Sequence, residues 1–334
     1  MDPRTRDRLG ITVVVLAILV GAGVIITRVA LDGGSLIGQQ DGSAMQAAAE
    51  EVGGGGLPGG ATAPPPGPDS PALREGPTDE DLAIFEEKMT FAREQRLDTL
   101  PIGEIIARLG ETFVGTPYEP GTLDPPGPER LVINLRALDC VTFVENVLAM
   151  ARLIRARDYD FDSYVAELER IRYRDGVLDG YPSRLHYFSE WISNAQEKGL
   201  VQDITRELGG VQDTERIDFM STHADAYPQL ADPDNLAAIR AVEERLNERP
   251  RYYIPEDRIA AVAPQIRNGD IIAATSTVSG LDIAHTGIAI WVDGKLHLMH
   301  APLVGRWVEI SELPLAERIL DISGQDGIMV ARPQ

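Results

Sequence analysis

The stretch Thr286-Gly-Ile-Ala-Ile-Trp-Val-Asp-Gly-Lys-Leu-His-Leu-Met-His300 carries the clearest structural pattern in this chain. Two runs rich in apolar and β-branched residues flank Asp293-Gly294, and this dipeptide suits the two-residue turn of a β-hairpin. The turn sets the pairing of the two strands, with Gly287 opposite His300. Because strand side chains alternate between faces, His285 and His300 are expected as diagonal neighbours on one face of a sheet.

Helical patterns occupy most of the chain before this hairpin. Apolar residues recur at helical spacing and predict helices at about 79–94, 101–111, 140–155, 163–171, 185–198 and 233–247. The end of the chain is richer in β-branched residues, which predicts strands at 271–275, 286–292 and 295–301. Helices followed by strands indicate an α+β domain.

The N-terminal segment is strongly apolar. Leu9 to Thr27 is an uncharged run of nineteen residues with arginines on both sides. As a helix it would span roughly 28 Å, close to the hydrocarbon core of a bilayer. Residues 1–31 are therefore expected to form a membrane anchor with a transmembrane helix, or else a signal segment that is cleaved. Either would export the rest of the chain, and retained arginines would leave the body outside the cytoplasm.

Composition divides and constrains the remaining chain. Residues 32–78 are rich in glycine, proline and alanine, which predicts a disordered linker, and residues 79–334 are expected to fold. The formal net charge of -21 argues against a nucleic-acid partner, because phosphate backbones select basic surfaces.

The chain has one cysteine, Cys140, so it cannot form an internal disulfide. Val144 and Val147 belong to an apolar stripe of the helix predicted to start at Cys140, with Asp139 as its N-cap. At a helix start, backbone N–H groups favour a thiolate and are able to hold an oxyanion. Cys140 is therefore either a nucleophile or a small buried residue of the core.

The two histidines predicted on one sheet face offer a base for Cys140. His285 would accept the thiol proton, and His300 would fix the orientation and tautomer of the His285 ring. Taken singly, each histidine is better explained as a hydrogen-bonded residue of the sheet. Clustered histidines also bind metals, but no third ligand lies at a suitable spacing, so no metal and no other cofactor are expected.

Four short motifs resemble those of the NlpC-type cell-wall peptidases, which are papain-like enzymes. They are Gly115-Thr-Pro-Tyr, Leu138-Asp-Cys-Val-Thr-Phe-Val-Glu, Ala284-His-Thr-Gly-Ile-Ala-Ile and Met299-His-Ala. Longer strings resemble one branch of that clan, the N-acetylmuramoyl-L-alanine amidase-like family. They are Gly115-Thr-Pro-Tyr-Glu-Pro-Gly-Thr-Leu, Arg184-Leu-His-Tyr-Phe-Ser-Glu-Trp-Ile, Phe219-Met-Ser-Thr-His and Tyr253-Ile-Pro.

The resemblance implies an α+β, papain-like (NlpC-type) fold in which an antiparallel sheet packs on the helix that carries the nucleophile. It makes residues 79–334 an amidase-like catalytic domain. By the same resemblance, Cys140 is the nucleophile, His285 the base and His300 the orienting residue. It also places Tyr118 beside the nucleophile.

A long insert separates Cys140 from the histidine strands, and its polar and aromatic residues are expected to line the substrate cleft. Arg184 would pair with a substrate carboxylate, or alternatively form a structural salt bridge. Tyr187 would offer a stacking surface, or alternatively pack in a helix core. The predicted substrate-binding residues are Tyr118, Arg184, His186, Tyr187, Thr222 and His223.

Together these features predict a cysteine-dependent hydrolase of amide bonds in peptidoglycan, cutting either the stem peptide or the muramoyl-L-alanine bond. Its partners would be peptidoglycan or muropeptides, and the membrane through the N-terminal helix. It would lie in the cell envelope, with the catalytic domain on the periplasmic or extracellular side. The alternatives are a non-catalytic protein that binds cell-wall peptides on the same fold, and an enzyme that transfers the acyl group to an amine.

Overall fold

The computed structural model describes residues 14–20, 23–29, 76–303 and 307–334, the first two ranges by their backbone alone. In these ranges the helices are α1 Asp79–Glu94, α2 Ile102–Glu111, α3 Cys140–Ala156, α4 Phe161–Arg172, α5 Phe188–Glu197, α6 Phe219–Thr222, α7 Pro233–Glu248, α8 Ile259–Val262 and α9 Leu315–Asp321. The strands are β1 Val14–Val20, β2 Gly23–Val29, β3 Val201–Asp203, β4 Val211–Asp213, β5 Arg251–Pro255, β6 Ile271–Ser276, β7 Ile283–Val292, β8 Lys295–His300, β9 Glu309–Ile310 and β10 Gln325–Pro333.

Side-chain caps mark where two of the helices begin. Thr78 Oγ1 accepts a hydrogen bond from Asp81 N at 3.2 Å, and Asp81 Oδ2 accepts one from Thr78 N at 2.9 Å. At α3, Asp139 Oδ1 accepts hydrogen bonds from the amides of Val141 and Thr142 at 3.1 and 2.7 Å. Each such cap contributes about 1 kcal/mol, because it satisfies amides that lack a partner within the helix. The N-cap predicted at Asp139 is confirmed.

The helix that begins at Cys140 lies at the centre of the helical layer. The sequence predicted an apolar stripe along α3, but Ala149 and Met150, which lie outside that stripe, are also fully buried. Burying one Val, Leu, Ile, Met or Phe side chain stabilises a fold by about 1.5–3 kcal/mol. A helix enclosed in this way holds its first residue in a fixed position.

One eight-stranded sheet organises the described part of the domain. Its strand order is β4-β5-β10-β6-β7-β8-β9, and β3 also pairs with β10. All of the pairs in this sheet are antiparallel. The α+β class and the antiparallel sheet therefore agree with the prediction, although β10, which lies inside the sheet, was not predicted as a strand.

The hairpin β7–β8 has the predicted register. Ile290 lies opposite His297, and Asp293 and Gly294 have φ values of +49° and +78°, as the tight turn requires. The pairing of β6 with β7 shifts in register between His285 and Ile283. The pairing of β7 with β8 is regular from the turn to Ile288. The turn chemistry therefore places the two site histidines as expected.

Apolar side chains cover both faces of the sheet. One cluster contains Ile288 and Met299 together with residues of α1 to α5. A second cluster on the opposite face contains Ala289 and Leu298 together with residues of α9. A third cluster around α6 and α7 gives the insert between Cys140 and the histidine strands a small core of its own.

The prediction of a transmembrane helix at Leu9 to Thr27 is wrong. Val14–Val20 and Gly23–Val29 are strands that pair in a two-stranded sheet. Valine and isoleucine predominate in both strands, and β-branched residues favour strands over helices. Apolar character alone does not distinguish the two. Within the described ranges, no helix combines the length and the apolarity that a bilayer span requires.

The prediction of a papain-like, NlpC-type fold is also not supported. What the structure establishes is an α+β domain with an eight-stranded antiparallel sheet. The motifs on which the prediction depended fix a helix start and a hairpin, which are local features. They do not determine how β3, β5 and β10 pair, because such contacts join residues far apart in the chain. Of the linker predicted at 32–78, positions 32–75 lie outside the described residues.

Candidate active site

Cys140 is the first residue of α3 and is almost completely buried, with 1% of its surface exposed. Thr286 of β7 donates a hydrogen bond from Oγ1 to the carbonyl oxygen of Cys140 at 2.8 Å. This contact joins the start of the helix to the strand that carries His285. The role of Thr286 was not predicted, because a threonine inside a strand pattern gives no sign of its partner.

Cys140 and His285 both line one cavity, whose empty volume of about 830 Å³ includes its open mouth. Further wall residues with polar side chains are Asp124, Asp139, Glu145, Arg172, Arg184, His186, Asp282 and Thr286. The predicted nucleophile and the predicted base therefore meet at a single site.

The two predicted site histidines are in direct contact. His285 Nε2 lies 2.8 Å from His300 Nδ1, and the two rings meet nearly perpendicular, at 85°. Since Nε2 of His285 is engaged by His300, Nδ1 is the ring nitrogen left for a reacting group. The predicted pairing of the histidines is thus found in the structure, while their chemical roles stay predictions.

Charge is disfavoured on both the thiol and the imidazoles. Burial, followed by the Asp139 carboxylate, raises the pKa of the Cys140 thiol to about 12. Burial, followed by the positive charge of Arg318, lowers the pKa of His285 well below its usual range. Burial, then His285 and Arg318, lowers the pKa of His300 in the same direction. In the resting protein the site therefore holds a neutral thiol and neutral imidazoles.

This state differs from the thiolate expected at the start of a helix. The Asp139 carboxylate occupies the amides of Val141 and Thr142 and brings a negative charge next to Cys140. It thereby offsets the positive end of the helix dipole. The carboxylate of the correctly predicted N-cap thus adds to burial, the larger cause, in raising the pKa of the Cys140 thiol.

Tyr118 lies beside the nucleophile, as the motif resemblance implied. Its backbone forms an isolated bridge with Leu138, two residues before Cys140. Within the described residues, its buried hydroxyl has no hydrogen-bond partner. Burial, followed by the charges of Cys140 and Asp139, raises the pKa of Tyr118. Tyr118 is not among the residues that line the cavity shared by Cys140 and His285, so its role in binding a ligand stays a prediction.

Arg184 lines the cavity, but its charge is already compensated. The guanidinium forms an ion pair with Asp124 and lies 3.1 Å from Glu129 Oε1. Arg184 therefore forms the structural salt bridge that the sequence analysis left open as an alternative. His186 lies next to it, with Nε2 2.9 Å from the Tyr181 carbonyl oxygen, and its Nδ1 has no partner among the described residues.

The remaining predicted substrate-binding residues lie away from the cavity. Tyr187 is buried and donates a hydrogen bond to Glu243 Oε1 at 2.8 Å, which ties α5 to α7. Thr222 and His223 are exposed at the end of α6, where the His223 ring stacks on Phe219. These three residues support or border the insert and do not form the cavity wall.

Several polar residues of the site were missed by the sequence analysis. Glu145 and Arg172 line the cavity as a fully buried ion pair, with Arg172 Nε 2.7 Å from Glu145 Oε2. Asp282 accepts hydrogen bonds from the amides of Ser189 and Ile283 at 2.8 and 2.7 Å. Among the described residues, no group of three or more potential ligands is placed to hold a metal ion. A charged residue within the apolar pattern of a helix, as at position 145, is a signal that could have indicated a buried partner, although it does not identify Arg172 as that partner.

The fold and the cavity together define a class: an α+β protein in which a buried cysteine at a helix start shares a cavity with one of two contacting histidines on a neighbouring strand. A model of the AmiA-like family, described as N-acetylmuramoyl-L-alanine amidase-like, matches residues 108–325, and the chain belongs to this family. The family predicted from the motifs is thereby confirmed.

Solved structures agree with this assignment. The chain is 38% identical to an N-acetylmuramoyl-L-alanine amidase from Bacteroides uniformis, with a TM-score of 0.67 over 70% of this chain and 99% of that one. A Bacteroides fragilis protein with a provisional xylanase assignment is 41% identical, with a TM-score of 0.64 over 67% and 98% of the two chains. A Legionella pneumophila protein, 21% identical with a TM-score of 0.56 over 76% and 96%, shows likeness of fold alone. A comparison with curated proteins gave no match.

Proposed function

We propose that this protein is a cysteine-dependent amidase that hydrolyses an amide bond of peptidoglycan. The observation that carries the proposal is the shared cavity, in which Cys140 and His285 form the wall and His300 contacts the His285 ring. Membership of the amidase-like family and the name of the Bacteroides uniformis structure support the choice of an amide in the cell wall. Between the candidate bonds, the amidase names favour the one between muramic acid and L-alanine over a bond within the stem peptide.

The proposed reaction begins from a neutral pair. Because the pKa of Cys140 is raised and that of His285 is lowered, a preformed thiolate is rare, and proton transfer accompanies attack. Sγ of Cys140 bonds to the carbonyl carbon of the substrate while its proton passes to Nδ1 of His285. The C–N bond then breaks, the same proton moves to the leaving nitrogen, and an acyl thioester remains on Cys140.

Water completes the cycle by the same route in reverse. His285 Nδ1 takes a proton from a water molecule, whose oxygen attacks the thioester carbon. The C–S bond breaks, the carboxylic acid leaves, and Sγ recovers the proton. Cys140 and His285 are then as they were at the start, so no external oxidant, reductant or cofactor enters the balance.

The negative oxygen formed in each tetrahedral intermediate needs hydrogen-bond donors. The amides of Val141 and Thr142 already donate to Asp139, so they are not free for this purpose. We assign the role to the backbone N–H of Cys140 and to the hydroxyl of Tyr118, which is buried near the thiol and has no other partner among the described residues. Removing one such donor typically slows the reaction about 100- to 1,000-fold.

The second candidate is a protein that binds cell-wall peptides in this cavity without cutting them. The buried thiol of Cys140, with its raised pKa, supports the peptide-binding protein, because a thiol is less reactive than a thiolate. The contact between His285 and His300 favours the enzyme, since a binding site has no need of an oriented base.

Because peptidoglycan lies outside the cytoplasm, we also propose that the domain acts in the cell envelope.

The deciding experiment incubates the full chain with purified muropeptides and weighs the products by mass spectrometry. Wild type is expected to add one water across an amide bond, whereas Cys140→Ala and His285→Ala yield no product above background. The mass of the released fragments identifies the bond that was cut, and an added amine acceptor reports any transfer. Equal product from wild type and Cys140→Ala would end the enzyme proposal, and tight binding without cleavage would favour the peptide-binding protein.

A further inference from the structure

One nitrogen of the histidine pair lacks a partner. His300 is 2% exposed, and among the described residues its Nε2 has no hydrogen-bond partner. Glu309 of β9 lies directly opposite His300 in the β8–β9 pairing, and its Oε1 is 4.0 Å from His300 Nε2. A buried polar atom without a partner is costly, and the nearest charged group is therefore expected to influence it.

The two ring nitrogens in contact allow only two neutral arrangements. In the first, His285 Nε2–H donates to His300 Nδ1, which leaves His285 Nδ1 free to accept a proton and places the proton of His300 on Nε2. In the second, His300 Nδ1–H donates to His285 Nε2, so that His285 carries its proton on Nδ1. Only the first arrangement leaves His285 able to act as a base toward Cys140.

We propose that Glu309 is a positioning residue that selects the first arrangement. A carboxylate facing His300 Nε2 favours a proton on that nitrogen, and the contact between the rings passes the choice on to His285. At a distance of 4.0 Å between Oε1 of Glu309 and Nε2 of His300, the selection acts through the charge of the carboxylate. This inference rests on the proposed role of His285. It adds Glu309, which none of the quoted motifs contains, to the residues that support the reaction.

The other charged groups around the pair are consistent with this role. Arg318 of α9 lies near Glu309, and it lowers the pKa of both histidines, which holds them neutral. Burial raises the pKa of Glu309, while Arg318 opposes that rise and favours the carboxylate. Cys140 of α3, the remaining titratable group, is neutral at rest because its pKa is raised. The only negative charge that faces His300 among these groups is thus Glu309.

Kinetics on the full chain form the first half of the test. Glu309→Leu is expected to lower kcat about 10- to 100-fold with little change in KM, the size of effect that supporting residues of a site usually have. Glu309→Gln keeps the shape of the side chain but removes its charge, so it is expected to lower kcat about as much as Glu309→Leu. Glu312→Leu, at an exposed neighbouring glutamate, serves as the control and is expected to match wild type.

Ring-nitrogen NMR of the resting protein forms the second half and needs no substrate. Nitrogen-15 shifts distinguish a protonated Nε2 from a protonated Nδ1, so they report the tautomers of His285 and His300 directly. Wild type is expected to carry both protons on Nε2, and Glu309→Leu to shift both rings toward Nδ1–H. Unchanged tautomers in a folded Glu309→Leu, or a wild type protonated on His285 Nδ1, would overturn the inference. Because this measurement is independent of turnover, an inactive wild type would defeat the proposed function and leave this test intact.

Discussion

Thr286 Oγ1 lies 2.8 Å from the carbonyl oxygen of Cys140, and this single hydrogen bond fixes the start of α3 to the strand that carries His285. Both side chains are buried, so water does not compete for the contact. The relative position of the candidate nucleophile and base therefore depends on a residue that takes no part in proton transfer.

Thr286→Val tests this positioning. The variant keeps the shape of the side chain and loses the donor, so the free energy of unfolding is expected to fall by only about 1 kcal/mol. Turnover is expected to fall more, by about tenfold or beyond, because small displacements of reacting groups are costly. Thr205→Val is the matched control: Thr205 is equally buried and accepts a hydrogen bond from Val330 N at 2.9 Å, away from the cavity. Equal losses of activity in both variants would contradict the positioning role.

The raised pKa of Cys140 predicts how alkylation depends on pH. Thiolate is the reactive form, and with a pKa of about 12 its fraction grows with every unit of pH through the neutral range. The rate of reaction with iodoacetamide is therefore expected to rise about tenfold per pH unit between pH 7 and pH 10 without a plateau. Mass spectrometry reads the rate cleanly, because Cys140 is the only cysteine in the chain. A plateau near neutral pH would instead indicate a preformed thiolate.

The buried histidines predict a loss of stability in acid. The pKa of His285 and that of His300 are lower in the folded chain than the ordinary value of 6.5. Their contribution to stability is thus complete above pH 6.5 and is lost as the pH falls, because the unfolded chain binds the protons first. Each histidine is expected to add a slope of up to about 1.4 kcal/mol per pH unit below that value. Urea unfolding from pH 7.5 to 5 should give a flatter profile of stability against pH for His300→Gln than for wild type, and equal slopes would contradict this prediction.

The ion pair between Arg172 and Glu145 predicts a strong effect on folding. Both side chains are 2% exposed, and Arg172 also donates from Nη1 to the Val132 carbonyl oxygen at 2.5 Å. Arg172→Met leaves the Glu145 carboxylate buried without a partner, which is expected to lower the free energy of unfolding by about 3–5 kcal/mol.

Two further variants test whether the stability lost in Arg172→Met comes from the unpaired charge of Glu145. In the double variant with Glu145→Leu, much of the stability should return, because no uncompensated charge remains. Arg216→Met, at an exposed arginine paired with Glu244, should change stability little. If Arg172→Met behaved like Arg216→Met in urea unfolding, the buried pair would have no structural importance.

Local signals in the sequence were read correctly where one short segment contains all the information. Asp293-Gly294 fixes the hairpin and hence the contact of the histidines, and Asp139 marks the start of α3. The assignment to the amidase-like family likewise followed from short strings of residues.

Errors arose where distant segments decide the outcome. The pairing of Arg172 with Glu145 and that of His300 with Glu309 depend on tertiary contacts that no local spacing reveals. Tyr187, for which a stacking surface and packing in a helix core were both left open, is buried and donates a hydrogen bond from its hydroxyl to Glu243. At the N-terminus, apolar composition predicted a helix where valine and isoleucine form strands, because composition measures burial and not backbone geometry.

The position of β10 inside the sheet has a consequence for synthesis. This strand, Gln325–Pro333, separates β5 from β6 and is also the strand that pairs with β3, so these three parts of the sheet are not joined until the ribosome has released the last segment of the domain. A nascent chain lacking it exposes unpaired strand edges on both sides of the gap, which chaperones must shield. A protein with this topology completes its sheet only after translation has passed residue 333.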